Sequence, residues 1–586
     1  MTEELLARFQ TRLETVYQSR EVADSTSAEV IRLCELFKAQ RAAADRQQPA
    51  LAQRWSENDV ILITYANSVQ KAEEVPLATL KRFLNEYVGD RINAVHILPF
   101  FPYSSDDGFS VIDYRQVKPD WGTWDDVANI AADYDLMVDL VVNHCSRESL
   151  WFSDYVSNSE PYTDYFIEED PETDLSLVTR PRNTPLLTPV HTHRGVRHVW
   201  ATFSEDQIDL NFQNPAVLLE MIQILLMYVE QGARFVRLDA IAFLWKRVGT
   251  HCIHLPETHE VVKLFRDVLE YCAPEVVLIT ETNVPVKENL SYFGASDEAH
   301  MVYQFGLPPL VLHALNRGRS DYLSDWMDNI PRLQSGCTYL NFTASHDGIG
   351  VRPVEGLLPE REVQDLIDCM HRFGGFVSMK ANPDGSESPY EINISLFDAC
   401  MGTRRGVDHL QVQRFLCSQA IMLAMQGIPA IYIHSLTASP NDLNHVEQTG
   451  RTRSINRRIW NWSELECLLE NPVTPQAEVY REVIRMVDIR RQQPAFHPSA
   501  RQDIIRINSD ILVNRRTAES GQVIYTISNV TERLMDMPLA TLGFLPAGLV
   551  DLLALPGENP GQNSAQPVNE VLSLGPYQTV WLTQPS

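Results

Sequence analysis

Eight short apolar runs, each followed by a longer polar or amphipathic stretch, limit what this chain can become. They fall at residues 60–65, 94–100, 136–142, 235–239, 276–280, 301–305, 338–342 and 428–433. Apolar runs this short, rich in Val and Ile, read as strands buried on both faces. Helical stretches lie between them. One spans 217–228, with Asn214 as N-cap and Pro215 at the first helical position, and another spans 261–269. Parallel strands need long crossovers, usually helical, and eight β-then-α units close most simply into a (β/α)8 barrel. We expect that barrel over residues 56–494.

Two intervals exceed an ordinary βα loop: an insertion at 145–210 after the third strand and one at 348–403 after the seventh. The first reads as about sixty polar, proline-spotted residues before the next helix. Long loops on the C-terminal rim of a barrel are where sites are built. Residues 1–55 show helical spacing, with Thr26-Ser27-Ala28-Glu29 as a capping box, and form an N-terminal helical extension. From 495 the period becomes two, as in Gln522-Val523-Ile524-Tyr525-Thr526-Ile527, so 495–586 is expected as a C-terminal antiparallel β domain. A Pro/Gly/Asn-rich loop at 556–567 separates its strands.

Polar residues at the C-terminal ends of barrel strands converge on one rim. The fourth run, Arg234-Phe235-Val236-Arg237-Leu238-Asp239-Ala240, sets an arginine and a carboxylate two positions apart, on one face of a buried strand. Alone, Arg237 and Asp239 read equally as a structural ion pair or as part of a site. Other strands decide, because they end similarly: His144 follows the third, Glu281 the fifth, and His346-Asp347 the seventh. Three carboxylates in one cleft repel and shift each other's pKa, which stability does not favour. Paired carboxylates are what cleavage of a glycosidic bond with retention requires. One attacks the anomeric carbon while the other protonates the leaving oxygen, and Arg237 keeps Asp239 ionised and aimed. Phe109 and Phe203 offer flat apolar faces for a sugar ring.

Charge excludes some partners. With 77 acidic and 49 basic side chains the formal net charge is −28, which steers the chain away from nucleic acid and anionic membranes. No apolar run is long enough to span a bilayer, and the first residues lack a basic, apolar leader. Nine scattered cysteines without a C-x-x-C suit a reducing compartment, so we expect a cytoplasmic protein, monomer or homodimer. His251-Cys252-Ile253-His254, with His259, has zinc-like residue types but no finger spacing, and reads as loop packing. His191, His193 and His198 read as solvated loop residues, and Gly348 and Gly350 as turn residues. No metal and no cofactor is expected.

Together Asp139-Leu140-Val141-Val142-Asn143-His144, Arg237-Leu238-Asp239-Ala240, Glu281 and His346-Asp347 resemble the four signature regions of the α-amylase superfamily, a match covering about residues 55–586. The resemblance implies that Asp239 is the nucleophile, Glu281 the general acid/base and Asp347 the transition-state stabiliser. Leu62-Ile63-Thr64-Tyr65, His96-Ile97-Leu98-Pro99-Phe100-Phe101, Leu307-Pro308-Pro309-Leu310, His346-Asp347-Gly348-Ile349-Gly350 and Ile455-Asn456-Arg457 look like the sucrose phosphorylase branch. Its members cleave an α-glucoside with inorganic phosphate and release α-glucose 1-phosphate. By that likeness Asp106, His144, His346 and Arg457 hold the glucosyl unit, Phe203 and Gln207 line the site, and Arg182 and Tyr390 bind phosphate and shape the acceptor side. Asn143 sits where calcium-dependent members ligate the ion, although this branch is described without one.

The chain departs from sucrose phosphorylases at three positions. Phe243 stands for their tyrosine, Asn283 for histidine and Glu391 for glutamine, all flanking the acceptor side. The extension, Thr280-Glu281-Thr282-Asn283 and Ser388-Pro389-Tyr390-Glu391-Ile392-Asn393 look instead like phosphorylases of glucosylglycerol or glucosylglycerate. Glu391, if it faces the acceptor, repels a glycerate carboxylate unless Arg182 or Lys380 neutralises it. The expectation is therefore reversible phosphorolysis of 2-O-α-D-glucosylglycerol to glucose 1-phosphate and glycerol. Glucosylglycerate, sucrose and sucrose 6'-phosphate are the alternative substrates; a hydrolase, a transglucosylase or a non-catalytic binding protein stands behind them.

Overall fold

All eight runs become strands of one closed parallel barrel in the computed structural model, which describes residues 3–43, 54–382, 385–543, 548–554 and 570–584. The strands are β1 (Ile61–Thr64), β2 (Ala94–Ile97), β3 (Asp135–Val141), β4 (Ala233–Asp239), β5 (Val277–Thr280), β6 (Met301–Tyr303), β7 (Thr338–Phe342) and β8 (Ile428–Tyr432). Each pairs with its neighbours in sequence, and β8 closes on β1 with Ile61 opposite Ala430. Near the C-terminal ends the β3–β4 register sets Asp139 beside Arg237 and Val141 beside Asp239. The barrel helices follow the capping logic. Helix Pro215–Glu230 begins at Asn214, whose side chain accepts from the Ala216 amide at 3.0 Å, and a second helix spans Pro256–Cys272.

The two insertions are more ordered than their composition suggests. After His144 come helix Leu150–Val156, capped by Ser149, and the hairpin Leu187–Thr192/Gly195–Trp200, which holds His191 and His198. Proline and polar residues hid these elements because both are short and lie on the surface. The later insertion carries helix Glu360–Arg372 and a three-stranded sheet ordered Ile349–Gly350, Glu387–Asn393, Phe376–Ala381. Gly348 and Gly350 are close-approach positions rather than turn residues. A Cβ at Gly348 would sit 2.8 Å from the Ile392 carbonyl oxygen, and one at Gly350 would sit 2.7 Å from Asn283 Oδ1.

The extension forms helices α1 (Glu3–Tyr17) and α2 (Arg20–Ala43). The break falls at Gln18, in the left-handed region with φ 51°, and not at Thr26-Ser27-Ala28-Glu29. Thr26 and Ser27 lie buried inside α2, where the Ser27 hydroxyl donates to the Asp24 carbonyl. Tertiary packing of their small side chains overrides the capping pattern. Helix Pro215–Glu230 is α3 and helix Pro256–Cys272 is α4. At the other end an antiparallel sheet contains β9 (Arg501–Ile505), β10 (Ile511–Thr517), β11 (Val523–Asn529), β12 (Val550–Asp551) and β13 (Thr579–Thr583), ordered β9-β10-β11-β13-β12. The expected loop at 556–567 lies outside the described residues, as do residues 44–53 of the extension. Among the described residues no helix is long and apolar enough to cross a membrane.

Candidate active site

A cavity opens where the strands end. Asp239, Glu281 and Asp347 line it together, although they are far apart in sequence. Asp239 closes β4; Glu281 follows β5, tied to β4 by its amide, which donates to the Leu238 carbonyl at 3.1 Å. Arg237 lies beneath, its NH1 donating to Asp239 Oδ1 at 2.7 Å and also to Asp139, with NH2 4.0 Å from Glu281 Oε2. Glu281 Oε2 also accepts from the Ala240 amide at 3.0 Å.

Burial pushes both Asp239 and Glu281 upward, and neighbouring carboxylates add to it while Arg237 opposes them. Such a pair titrates as a unit and takes up a proton more readily than isolated carboxyls. Direct contact with the guanidinium favours charge on Asp239. Asp347 is the opposite case. Burial would raise it, but the guanidinium groups of Arg453, Arg457 and Arg237 help hold it far below the usual carboxylate range. Arg453 NH1 lies 2.8 Å from Asp347 Oδ1 and His346 Nε2 3.5 Å from Oδ2. Burial, Arg237 and Arg457 push His346 down to about 3, so its imidazole is neutral as it stacks on Phe109 at 4.8 Å.

The remaining expected residues divide clearly. Asp106, Phe109, His144, Phe203 and Gln207 line the cavity, and so do Arg182, Asn283 and Tyr390. Gln207 Nε2 donates to Asp106 Oδ2 at 3.4 Å, and Phe203 packs against His144 at 5.2 Å. Arg457 does not reach the wall. It braces Asp107 by direct contact, lies 3.8 Å from Asp106 and donates through Nε to the His346 carbonyl. Arg182 stacks over the Tyr390 ring at 5.2 Å and has no carboxylate partner among the described residues.

Glu391 does not face the cavity. It is 1% exposed and accepts two bonds from Arg453, Nε to Oε1 at 2.6 Å and NH2 to Oε2 at 2.8 Å. Neither Arg182 nor Lys380 neutralises it; Lys380 pairs with Glu355 at 3.2 Å. The expected repulsion of an acceptor carboxylate therefore fails, because a bidentate guanidinium already absorbs the charge. Arg453 is the residue that sequence reasoning missed. The available signal was an arginine cluster (Arg451, Arg453, Arg457, Arg458) after the last barrel strand of an acidic chain.

The zinc-like residues each have ordinary partners. His251 Nδ1 lies 2.9 Å from the Leu177 carbonyl, Cys252 bonds the Arg247 carbonyl, His254 contacts Tyr292 and Glu288, and His259 contacts Glu298. Asn143 Oδ1 accepts from Lys246 Nζ at 2.7 Å, and the same ammonium pairs with Asp209 at 2.5 Å. Among the described residues no group of three or more His, Cys, Asp or Glu could hold a metal ion.

Residues 86–349 match the model of the α-amylase catalytic domain. The chain is 44% identical over 531 residues to a glucosylglycerate phosphorylase of Escherichia coli (strain K12), covering 90% of this chain and 92% of the relative. The chain belongs to the α-amylase family. Within that family it falls in the sucrose phosphorylase branch of glycoside phosphorylases. A glucosylglycerol phosphorylase of Marinobacter adhaerens is 31% identical, covering 75% of this chain and 88% of that one. Among solved structures, sucrose 6F-phosphate phosphorylase from Thermoanaerobacter thermosaccharolyticum matches with a TM-score of 0.71 and 26% identity, over 81% of this chain and 94% of that one. The closed barrel with its C-terminal antiparallel sheet is the α-amylase family fold.

Proposed function

We propose that the protein is a retaining glycoside phosphorylase that converts 2-O-α-D-glucosylglycerate and phosphate into α-glucose 1-phosphate and glycerate. Asp239 attacks the anomeric carbon and Glu281 gives its proton to the departing glycerate oxygen, leaving a β-glucosyl ester on Asp239. A phosphate oxygen then attacks the same carbon, Glu281 takes up its proton, and Asp239 leaves. Asp347 stabilises the positive charge that develops on the sugar ring, while Asp106, His144, His346 and Gln207 grip the glucosyl hydroxyls. Arg457 holds that grip in place from behind. The catalytic barrel over 56–494, the extension to 55 and the β domain from 495 are the division that goes with this reading.

One observation supports glycerate over glycerol. Arg453 is committed to Glu391 and Asp347, so Arg182 is the guanidinium left in the cavity for an anion. Phosphate and a glycerate carboxylate occupy the acceptor side in turn, and each gains from a planar, permanently charged donor. The higher identity to a glucosylglycerate phosphorylase supports the same substrate. The glucosylglycerol reading rested on Glu391 facing the acceptor, and it falls with that premise. The test incubates the protein with glucose 1-phosphate and, separately, glycerate, glycerol, fructose and fructose 6-phosphate, and follows phosphate release. Release with glycerate is expected. A faster reaction with glycerol would return the reading to glucosylglycerol, and free glucose with every acceptor would mark a hydrolase.

A further inference from the structure

The N-terminal hairpin takes no part in this chemistry, yet it lies against the unit that supplies it. α1 packs on α4, and α2 packs on both α3 and α4. Those two helices precede and follow β4, the strand that ends in Arg237 and Asp239. Charge anchors the hairpin there. Arg12 Nε lies 2.6 Å from Asp267 Oδ2 on α4, with its other nitrogens 3.4 Å from Glu260 and 3.5 Å from Asp297, and Arg8 lies 3.2 Å from Asp267. Asp267 is buried, so this is no loose surface pair.

At the end of α1, Tyr17 meets Trp245 edge to face, with ring centroids 6.4 Å apart. Trp245 belongs to the segment 240–246 that leaves β4. From that segment Ala240, Ala242 and Phe243 line the cavity, and the Ala240 amide donates to Glu281. Phe243 has no polar atom to fix its position, so it stands where packing puts it, against Phe203 at 5.5 Å and on the segment behind it. The Tyr17 hydroxyl is buried without a hydrogen-bond partner among the described residues. The ring therefore makes the contact, not the hydroxyl.

We propose that the N-terminal hairpin braces the acceptor wall of the site, with Tyr17 as a positioning residue that acts through Trp245 on Phe243 and Ala240. The word acceptor rests on the function proposed above; the mechanical coupling does not. Losing the Tyr17 ring leaves Trp245 unsupported and lets the 240–246 segment open locally, while β5 keeps its own packing.

The full chain, with Tyr17→Ala and Tyr17→Phe, tests this by hydrogen exchange and kinetics. Tyr17→Ala should speed amide exchange in 240–246 by about tenfold and leave Val277–Thr280 unchanged. It should raise the acceptor KM several-fold, by a larger factor than any fall in kcat. Tyr17→Phe, which keeps the ring, should match the parent in both. Unchanged exchange at 240–246 in Tyr17→Ala overturns the proposal. So does loosening of β5 to the same extent, or Tyr17→Phe behaving as Tyr17→Ala. If no acceptor supports phosphate release, the phosphorylase reading fails, but the exchange result still decides the brace.

Discussion

Arg237 donates to Asp239 at 2.7 Å and comes no closer to Glu281 than 4.0 Å. In the proposed reaction that asymmetry sets one buried carboxyl as nucleophile and the other as acid. Asp239→Asn removes the attacking charge and keeps the volume, so turnover with every acceptor should fall by about 10⁴-fold or more, the scale of losing a nucleophile elsewhere. Initial rates of phosphate release check this, and retained turnover would remove Asp239 from its role. Glu391→Gln probes the charge behind the site. Arg453 lowers Glu281, and Glu391 offsets Arg453. Removing that negative charge makes the field at Glu281 more positive and brings its raised pKa down. Glu281 must be protonated to release the acceptor, so activity is lost as pH rises through its pKa. The alkaline limb of kcat/KM for the glycoside should therefore move to lower pH in Glu391→Gln. A limb that stays put or moves up would show that the Glu391 charge does not reach the acid.

Among the elements, the later insertion joins the site through one strand, Glu387–Asn393, which supplies Tyr390 to the cavity and Glu391 to Arg453. Its partner Ile349–Gly350 lies so close to the β5 loop that a Cβ on Gly350 would meet the Asn283 amide at 2.7 Å. That amide is the far end of a side chain and yields more readily than backbone. Gly350→Ala should therefore turn Asn283 from its place on the wall and raise the acceptor KM several-fold, at a stability cost within about 1 kcal/mol. Acceptor titrations and a thermal melt, read together, separate this from a general loss of packing. The barrel strands were legible because a strand buried on both faces must be apolar throughout, which leaves an unbroken run in the sequence. Asp239, Glu281 and Asp347 were legible because each ends or follows such a run. Arg453 was not, because its partners lie 62 and 106 positions away and neighbouring arginines carry the same local pattern. The side on which Glu391 points depends on pairing with Ile349–Gly350 and Phe376–Ala381, and strand alternation alone leaves that choice open.

At the scale of the molecule, one face of the C-terminal sheet packs into the barrel's apolar core, while Ile511, Val513, Ile527 and Leu582 belong to a second cluster of its own. Leu512, Ile524, Val530 and Trp581 pack in the same cluster as the barrel strands and helices. The junction is polar as well: buried Arg516 on β10 donates to the carbonyls of Ala424 and His497, one at the end of helix Gln411–Ala424, which leads into β8, and one on the linker to β9. The change of period near 495 marked where the sheet begins, but it carried no sign of this shared packing, because alternation fixes which face of a sheet is buried and not what covers it. Packing shared across that face implies that the two parts unfold together despite their different architectures. Trp581 is fully buried in β13 and packs on Phe496 at 4.8 Å. Trp581→Ala should cost about 3–5 kcal/mol, the range for emptying an aromatic site in a core. Because that cavity opens in packing common to both parts, calorimetry should show one transition moved to lower temperature. A second, earlier transition with the barrel melting where the parent does would mean that the sheet stands on its own.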